Sequence, residues 1–179
     1  MAKKRIGILT GGGDVPGLNS VIKTVTYRSS EDDIEVVGFR RGWEGLTHLN
    51  LEDPASRRRY VFALDRENTR TIDRSGGTVL HSTRTNPSKM KKLPDHLAGK
   101  DFPVSLSTKG GVTTNTWDVS RQVLANLSAL GIEHLIVIGG DDTLKSANKL
   151  KMYQDRLPAT ARRIPVIHLP KTIDNDYMG

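Results

Sequence analysis

Apolar residues along the chain follow two patterns, short continuous runs and helical repeats. The continuous runs predict buried strands at 5–10, 34–39, 135–138 and 164–169. Apolar positions three or four residues apart predict helices from about residue 18 onward, over 118–130, over 144–157 and, more briefly, over 53–64. Because strands alternate with helices, we predict an α/β fold with three layers, a doubly wound and mostly parallel sheet with helices on both faces.

Residues 85–116 interrupt this alternation. The segment is rich in Pro, Lys, Gly, Ser and Thr and shows no apolar period. It holds Pro87, Pro94, Pro103 and the pair Gly110-Gly111. Long irregular segments in compact domains are often functional or mobile. We interpret 85–116 as a long loop or insertion within a single domain.

The strand at 135–138 leads into a group of residues that can carry chemistry. Gly139-Gly140 permit a tight turn, and Asp141, Asp142 and Thr143 follow at once. In α/β proteins, ligands bind at the carboxyl ends of parallel strands. An ordinary strand-to-helix turn would explain these residues equally well, so the other strand ends have to decide between the two interpretations.

Two further strand ends carry suitable groups. Glycines 11–13 follow the first strand and precede a helix, so their N–H groups and the helix dipole would form an anion-binding cradle. A flexible strand-to-helix link is the competing account. After the last strand, Lys171 and Thr172 are followed by the carboxylates Asp174 and Asp176, for which simple turn formation is the alternative.

Together these strand ends supply what phosphoryl transfer requires. Backbone donors would bind phosphate, carboxylates would hold a divalent cation, and a remaining carboxylate would act as a base. We expect Mg²⁺ as the cofactor, because it prefers carboxylate and phosphate oxygens and keeps several of its waters.

Composition narrows the range of partners. The net charge is +7, but aromatic residues make up only 5% of the chain and no base-reading motif is visible. We therefore expect phosphorylated small molecules as partners and no nucleic acid. The chain has no cysteine, and no apolar run approaches the roughly 20 residues of a membrane span. The apolar stretch after the basic N-terminus is too short for a signal peptide, so we expect a cytoplasmic protein without membrane contact.

Four segments resemble, in the same order, the motif set of the phosphofructokinase family. They are GGGDVPGLN at 11–19, GGTVLHSTR at 76–84, GGDDT at 139–143 and PKTIDND at 170–176. Lipid kinases and NAD kinases share a similar Gly-Gly-Asp motif, but we do not expect the last segment in either. The resemblance implies that 1–179 is a donor phosphate-binding α/β domain with the start of the sugar phosphate site.

The resemblance also implies roles for individual residues. Asp174 would be the general base that takes the proton from the sugar 1-hydroxyl, Lys171 would be the second catalytic residue, and Asp141 would hold Mg²⁺. The residues expected to contact fructose 6-phosphate are Thr172, Asp174 and Asp176. The residues expected to bind the donor phosphate are Gly12, Gly13, Arg84, Gly140, Asp142 and Lys171.

Two of these residues would select the phosphoryl donor. ATP-using members of the family typically have Gly in place of Asp142 and often Gly in place of Lys171, whereas pyrophosphate-using members have Asp and Lys. A carboxylate at Asp142 would repel a nucleotide α-phosphate, and Lys171 would neutralise charge on the transferring group. We therefore expect a pyrophosphate-dependent 6-phosphofructokinase. An ATP-dependent enzyme that tolerates Asp142 is the alternative.

The chain is shorter than is usual for the family. The later arginine- and histidine-bearing segments that clamp the sugar 6-phosphate have no match in these 179 residues. We expect the N-terminal part of the fold, truncated at its C-terminus and inactive in isolation, and a non-catalytic phosphate-binding fragment is a further alternative. In the complete enzyme we expect a homo-oligomer.

Overall fold

The computed structural model describes residues 3–109 and 111–172. The strands are β1 (Arg5–Thr10), β2 (Glu35–Phe39), β3 (Val61–Leu64), β4 (Val104–Lys109), β5 (Val112–Trp117), β6 (His134–Gly139) and β7 (Val166–Pro170). The α-helices are α1 (Leu18–Glu31), α2 (Trp43–His48), α3 (Pro54–Tyr60), α4 (Ser120–Ala129) and α5 (Asp141–Asp155). Short 3₁₀ turns occur at Ile72–Arg74 and Asp95–Leu97.

One sheet organises the chain, with its strands in the order β3-β2-β1-β6-β7. Neighbouring strands are parallel except β2 and β3, which pair antiparallel at one edge. The chain passes from β1 to β2 on one side and later places β6 on the other side of β1. Such a reversal of strand order opens a crevice at the carboxyl ends of the two strands, where α/β sheets bind ligands.

Helices cover both faces of this sheet. On one face, Ile8 and Ile138 pack in a buried cluster with Leu18 and Ile22 of α1. On the other face, Leu9 belongs to a larger buried cluster with residues of α2, α4 and α5. Ile8 and Leu9 are adjacent in β1 and both are fully buried, because successive side chains of a strand point to opposite faces. The predicted three-layer, mostly parallel α/β architecture is confirmed.

The predicted helix over 53–64 is wrong in its last four residues. Helix α3 begins where expected, since Asp53 is its N-cap and accepts a hydrogen bond from Ala55 N at 2.8 Å. The residues Val61–Leu64 then form β3 and pair with β2. Aromatic and β-branched residues favour a strand when a neighbouring strand is present to pair with, and helical spacing alone could not reveal that neighbour.

Helix α5 begins three residues earlier than predicted. The apolar pattern placed its start at residue 144, but the helix starts at Asp141 with Gly140 as its N-cap. Asp141 and Asp142 therefore stand in the first helical turn, where carboxylates interact favourably with the helix dipole. In the part of the chain that the structure describes, no helix has both the length and the apolar character needed to cross a membrane.

Residues 85–116 contain more regular structure than the predicted loop or insertion. Strands β4 and β5 form a separate antiparallel hairpin in which Val104 lies opposite Trp117. A small buried cluster accompanies the hairpin and consists of Met90, Leu97, Phe102 and Val119. The hairpin strands are rich in Ser and Thr and largely exposed, so they lack the buried apolar alternation from which a strand is predicted.

Two half-buried histidines should make stability depend on pH. Burial lowers the pKa of His96 and of His168 below the usual histidine value, and the charges of Lys100 and His48 lower the pKa of His96 further. As pH falls below about 6.5, the unfolded chain binds protons that the folded chain excludes. We expect the free energy of unfolding to decrease over this range, as measured by urea denaturation at about pH 7.5 and about pH 5.5.

Replacing both histidines tests the cause of this pH dependence. The double substitution His96→Gln and His168→Gln should make the free energy of unfolding less sensitive to pH than it is in the wild type. His134→Gln is the control, because His134 is exposed at the start of β6. The same pH dependence in the wild type and the double variant would contradict the assignment.

Candidate active site

The crevice between β1 and β6 opens into a cleft of ≈ 620 Å³. Three strand ends meet there: the loop after β1, the first turns of α5 after β6, and Lys171 after β7. The segment 83–86 forms a further wall. The complete lining consists of Gly12, Gly13, 83–86, 140–143, Lys145, Ser146 and Lys171.

Backbone hydrogen bonds hold the glycine loop after β1 in place. Gly11 N donates to Ile138 O at 2.8 Å, and Gly12 N donates to Thr83 O at 3.3 Å. Both N–H groups are therefore engaged inside the protein. The predicted open cradle is wrong for these two N–H groups, because their partners come from β6 and from the segment beside the loop. Gly13 lines the cleft, and a Cβ on it would meet no atom within 4 Å.

The helix end that reaches the cleft belongs to α5. Helix α1 begins at Leu18 with Gly17 as its N-cap, and no residue of α1 lines the cleft. Helix α5 contributes Asp141 to Thr143 from its first turn and further residues from its second. The positive end of the α5 dipole therefore favours anions in the cleft, a role that the sequence had assigned to the helix after the first strand.

Thr143 packs between the two strand ends. It is only 5% exposed, and its N–H donates to Gly140 O at 3.0 Å. A Cβ on Gly11 would lie 2.6 Å from Thr143 Oγ1, and a Cβ on Gly139 would lie 2.5 Å from the same atom. Each distance is too short for real atoms. The glycines at these positions are therefore required by the packing of Thr143, which sequence analysis had noted only as part of a motif.

Lys171 places a cation directly over the glycine loop. Its N–H donates to Gly139 O at 3.1 Å, which continues the pairing of β6 and β7. Its side chain is half-buried, and Lys171 Nζ would lie 3.6 Å from a Cβ on Gly12. Gly12 also has φ of +80°, a conformation that strains other residues. A Cβ at this position would make only an ordinary contact with Lys171, so it is the positive φ that favours glycine there.

Arg84 enters the cleft from a segment without regular secondary structure. Ser82 Oγ ties this segment to the loop after β1 by donating to Gly12 O at 2.7 Å. Asn19, buried in α1, holds the segment through both atoms of its amide. Its Nδ2 donates to Ser75 O at 3.1 Å, and its Oδ1 accepts a hydrogen bond from Val79 N at 2.8 Å. Asn19 thus fixes the residues that precede the wall carrying Arg84.

The carboxylates of the described lining are Asp141 and Asp142. Both are exposed, and Asp142 Oδ1 lies 3.9 Å from Lys145 Nζ. Within 3–109 and 111–172, no group of three or more His, Cys, Asp or Glu side chains could hold a metal ion. This donor set fits Mg²⁺, which commonly binds through one or two carboxylates and the phosphates of a substrate. Asp141, the predicted ligand, has the chemistry for that arrangement.

The remaining predicted residues have different outcomes. Thr172 is half-buried next to Lys171 but does not line the cleft. Asp174 and Asp176 lie outside the described residues. Lining residues that the sequence analysis missed are Thr83, Thr85, Asn86, Lys145 and Ser146. Helical periodicity offered a signal for the last two, since they follow Asp142 by three and four positions and so share its helix face.

A family comparison accounts for this combination of strand ends. Residues 5–179 match the family described as Phosphofructokinase. The chain belongs to the phosphofructokinase family. The resemblance of the four sequence motifs is thereby confirmed. The sheet, the crevice between β1 and β6 and the cleft are therefore those of a phosphofructokinase chain.

Similar sequences belong to enzymes with two different donors. The pyrophosphate–fructose 6-phosphate 1-phosphotransferase of Streptomyces coelicolor is 37% identical over 173 residues, which is 96% of this chain and 38% of that protein. The ATP-dependent 6-phosphofructokinase of Corynebacterium efficiens is 39% identical over 180 residues, which is 100% of this chain and 39% of that protein. The chain therefore spans less than half the length of these relatives. Overall sequence identity does not distinguish a pyrophosphate donor from an ATP donor.

Solved structures share the fold. Phosphofructokinase from Pichia pastoris in the T-state matches with a TM-score of 0.71 and 23% identity, over 100% of this chain and 16% of that one. The pyrophosphate-dependent phosphofructokinase from Marinobacter aquaeolei matches with a TM-score of 0.61 and 18% identity, over 96% of this chain and 34% of that one. These likenesses confirm the phosphofructokinase-like architecture.

Substituting Gly139 should disturb the packing of Thr143. A Cβ on Gly139 would lie 2.5 to 2.6 Å from Thr143 Cβ, Oγ1 and Cγ2, so a change of rotamer cannot relieve the overlap. We expect Gly139→Ala to destabilise the protein by about 1–3 kcal/mol through overpacking. The free energy of unfolding from urea denaturation measures the effect.

Gly13→Ala is the matched control for this substitution. A Cβ on Gly13 has no atom within 4 Å, so this variant should differ from the wild type by less than about 0.5 kcal/mol. Equal stability of the two alanine variants would show that Thr143 does not constrain Gly139.

Proposed function

We propose that the complete protein is a pyrophosphate-dependent 6-phosphofructokinase. It transfers a phosphoryl group from pyrophosphate to the 1-hydroxyl of fructose 6-phosphate in the presence of Mg²⁺, reversibly, as a glycolytic enzyme of the cytoplasm. The observation that carries the donor assignment is the presence of Asp142 and Lys171 in the lining of one cleft. The chain spans 38% of the Streptomyces coelicolor relative, so the activity is proposed for the complete enzyme.

Asp142 supports pyrophosphate as the donor by disfavouring a nucleotide. Its side chain is 92% exposed and stands in the first turn of α5 at the wall of the cleft. A carboxylate in that position would repel the α-phosphate of ATP, which pyrophosphate lacks. Glycine at the same position would present no such charge.

Lys171 supports the transfer step itself. Its ammonium group lies beside Gly12, at the point where the loop after β1 meets the first turn of α5. A cation held there would neutralise the charge that develops on the transferring phosphoryl group. Arg84, on the wall formed by 83–86, would bind further phosphate oxygens through its planar guanidinium.

Asp141 would hold Mg²⁺ together with the donor phosphates. The bound ion would supply charge neutralisation across the two phosphoryl groups of the donor. The first turn of α5 contributes in the same direction, because its backbone dipole places partial positive charge at the cleft.

Asp174 is proposed as the general base for the sugar hydroxyl, with Thr172 and Asp176 as further contacts to fructose 6-phosphate. Its place in the chain supports this role. Asp174 follows Lys171 by three residues, which extended chain spans in at most about 11 Å. A base so close in the chain to Lys171 could reach the transferring group and remove the proton as the new bond forms.

The second candidate is the ATP-dependent reaction. The ATP-dependent 6-phosphofructokinase of Corynebacterium efficiens is 39% identical to this chain, slightly more than the Streptomyces coelicolor enzyme. In that case Asp142 would be tolerated beside the nucleotide.

Donor choice can be measured with the complete enzyme. Formation of fructose 1,6-bisphosphate in a coupled assay should proceed with pyrophosphate and not with ATP. Asp142→Gly should relax the exclusion of ATP without producing an efficient ATP enzyme, because Lys171 and the rest of the cleft remain. Asp155→Gly, at the far end of α5, is the control and should leave donor preference unchanged. Preference of the wild type for ATP would refute the assignment.

The role of Asp174 predicts a specific kinetic effect. Asp174→Ser should lower kcat by about 10²- to 10⁴-fold, the usual contribution of a general base, while KM for fructose 6-phosphate changes much less. Steady-state kinetics of the complete enzyme measure both constants, with Asp155→Ser as the control. An unchanged kcat would exclude Asp174 as the base and point to Asp176.

A further inference from the structure

Lys145 is a cation of the cleft that the proposed transfer does not yet use. It lines the same cleft as Lys171 and Arg84, but it lies on α5 rather than at a strand end. Its Nζ is 3.9 Å from Asp142 Oδ1, three residues earlier on the helix. Cations therefore stand on three separate walls of the cleft.

The pair between Lys145 and Asp142 is too weak to be the main role of Lys145. Its 3.9 Å separation is near the outer limit for an ion pair, and the two side chains are 67% and 92% exposed. Exposed pairs of this kind on a helix surface contribute little to stability. The ammonium group of Lys145 can therefore turn from Asp142 to a more highly charged anion at little cost.

Pyrophosphate would need such a cation more than a nucleotide does. It offers almost no apolar surface, so its affinity has to come from charge-assisted hydrogen bonds to its two phosphoryl groups. Lys171 is half-buried beside Gly12, whereas Lys145 is more exposed and lies one helical turn after Asp142 on α5. The cleft thus offers two ammonium groups from different elements to a donor that has two phosphoryl groups.

We propose that Lys145 is a donor-binding residue whose ammonium group pairs with the phosphoryl group of pyrophosphate that is not transferred. This inference rests on the proposed function. Lys145 also offsets the repulsion that Asp142 alone would exert on pyrophosphate. Lys145 and Asp142 together therefore allow pyrophosphate to bind, while Asp142 would still repel the α-phosphate of ATP.

Calorimetric titration of the complete protein with Mg-pyrophosphate tests this role. Lys145→Gln should weaken binding about tenfold, the loss expected for one charge-assisted hydrogen bond. Lys145→Arg should retain most of the affinity, because it keeps the charge. Lys151→Gln is the matched control: Lys151 lies on the same helix with the same 67% exposure and pairs with Asp155 at 2.6 Å, but it does not line the cleft.

A second titration separates phosphate binding from simple screening of Asp142. In an Asp142→Gly background, Lys145→Gln should still weaken binding of Mg-pyrophosphate several-fold, because the contact to the phosphoryl group is lost. If the loss disappears in that background, Lys145 acts only by neutralising Asp142, and the proposal is overturned.

A parallel titration with Mg-ATP distinguishes the failure of this inference from failure of the proposed function. Tighter binding of ATP than of pyrophosphate by the wild type would overturn the proposed donor. Equal affinities of Lys145→Gln and Lys151→Gln for the donor that the wild type binds would overturn the role of Lys145 alone. Binding of neither donor by the wild type would overturn both. Circular dichroism and thermal denaturation confirm folding, which an exposed substitution should preserve.

Discussion

The packing of α5 against the carboxyl ends of β1 and β6 depends on two positions that have no side chain. Thr143 fills the space beside Gly11 and Gly139, and a methyl group at either glycine would overlap with it. Since Thr143 stands in the first turn of α5, this packing sets the position of that turn relative to the loop after β1. Lys171 Nζ lies above the same loop, beside Gly12. The shape of the cleft therefore follows from the fit of one threonine between two strand ends.

The electrostatic character of the cleft follows from that geometry. Its cations come from the segment that carries Arg84, from Lys145 on α5 and from Lys171 after β7, while Asp141 and Asp142 occupy the first turn of the helix. Such a mixture suits a ligand that is highly anionic and is bound together with a divalent cation. Because these charges come from three separate parts of the chain, the site exists only once the sheet has formed.

The relatives named for the two donors resemble this chain to a similar degree, so overall identity does not indicate its donor. A pyrophosphate enzyme and an ATP enzyme are similar to this chain to nearly the same degree, at 37% and 39% identity. A change between Asp and Gly at position 142 alters one exposed side chain and leaves the buried packing untouched. Under the proposed assignment, the local charge at Asp142, Lys145 and Lys171 is a more informative guide to the donor than overall identity.

The sequence by itself determined the alternation of strands and helices, the mostly parallel sheet and the polar groups at the strand ends. Local periodicity and short motifs are enough to specify these features. Only the tertiary structure decided that Gly11 N and Gly12 N are engaged internally, that α5 rather than α1 reaches the cleft, and that Val61–Leu64 form a strand. Each of these features depends on a partner distant in the chain, such as Thr83 O for Gly12 N. A local pattern specifies which groups a segment offers, but the partner that satisfies a hydrogen bond or fills a space is chosen only when the elements pack together.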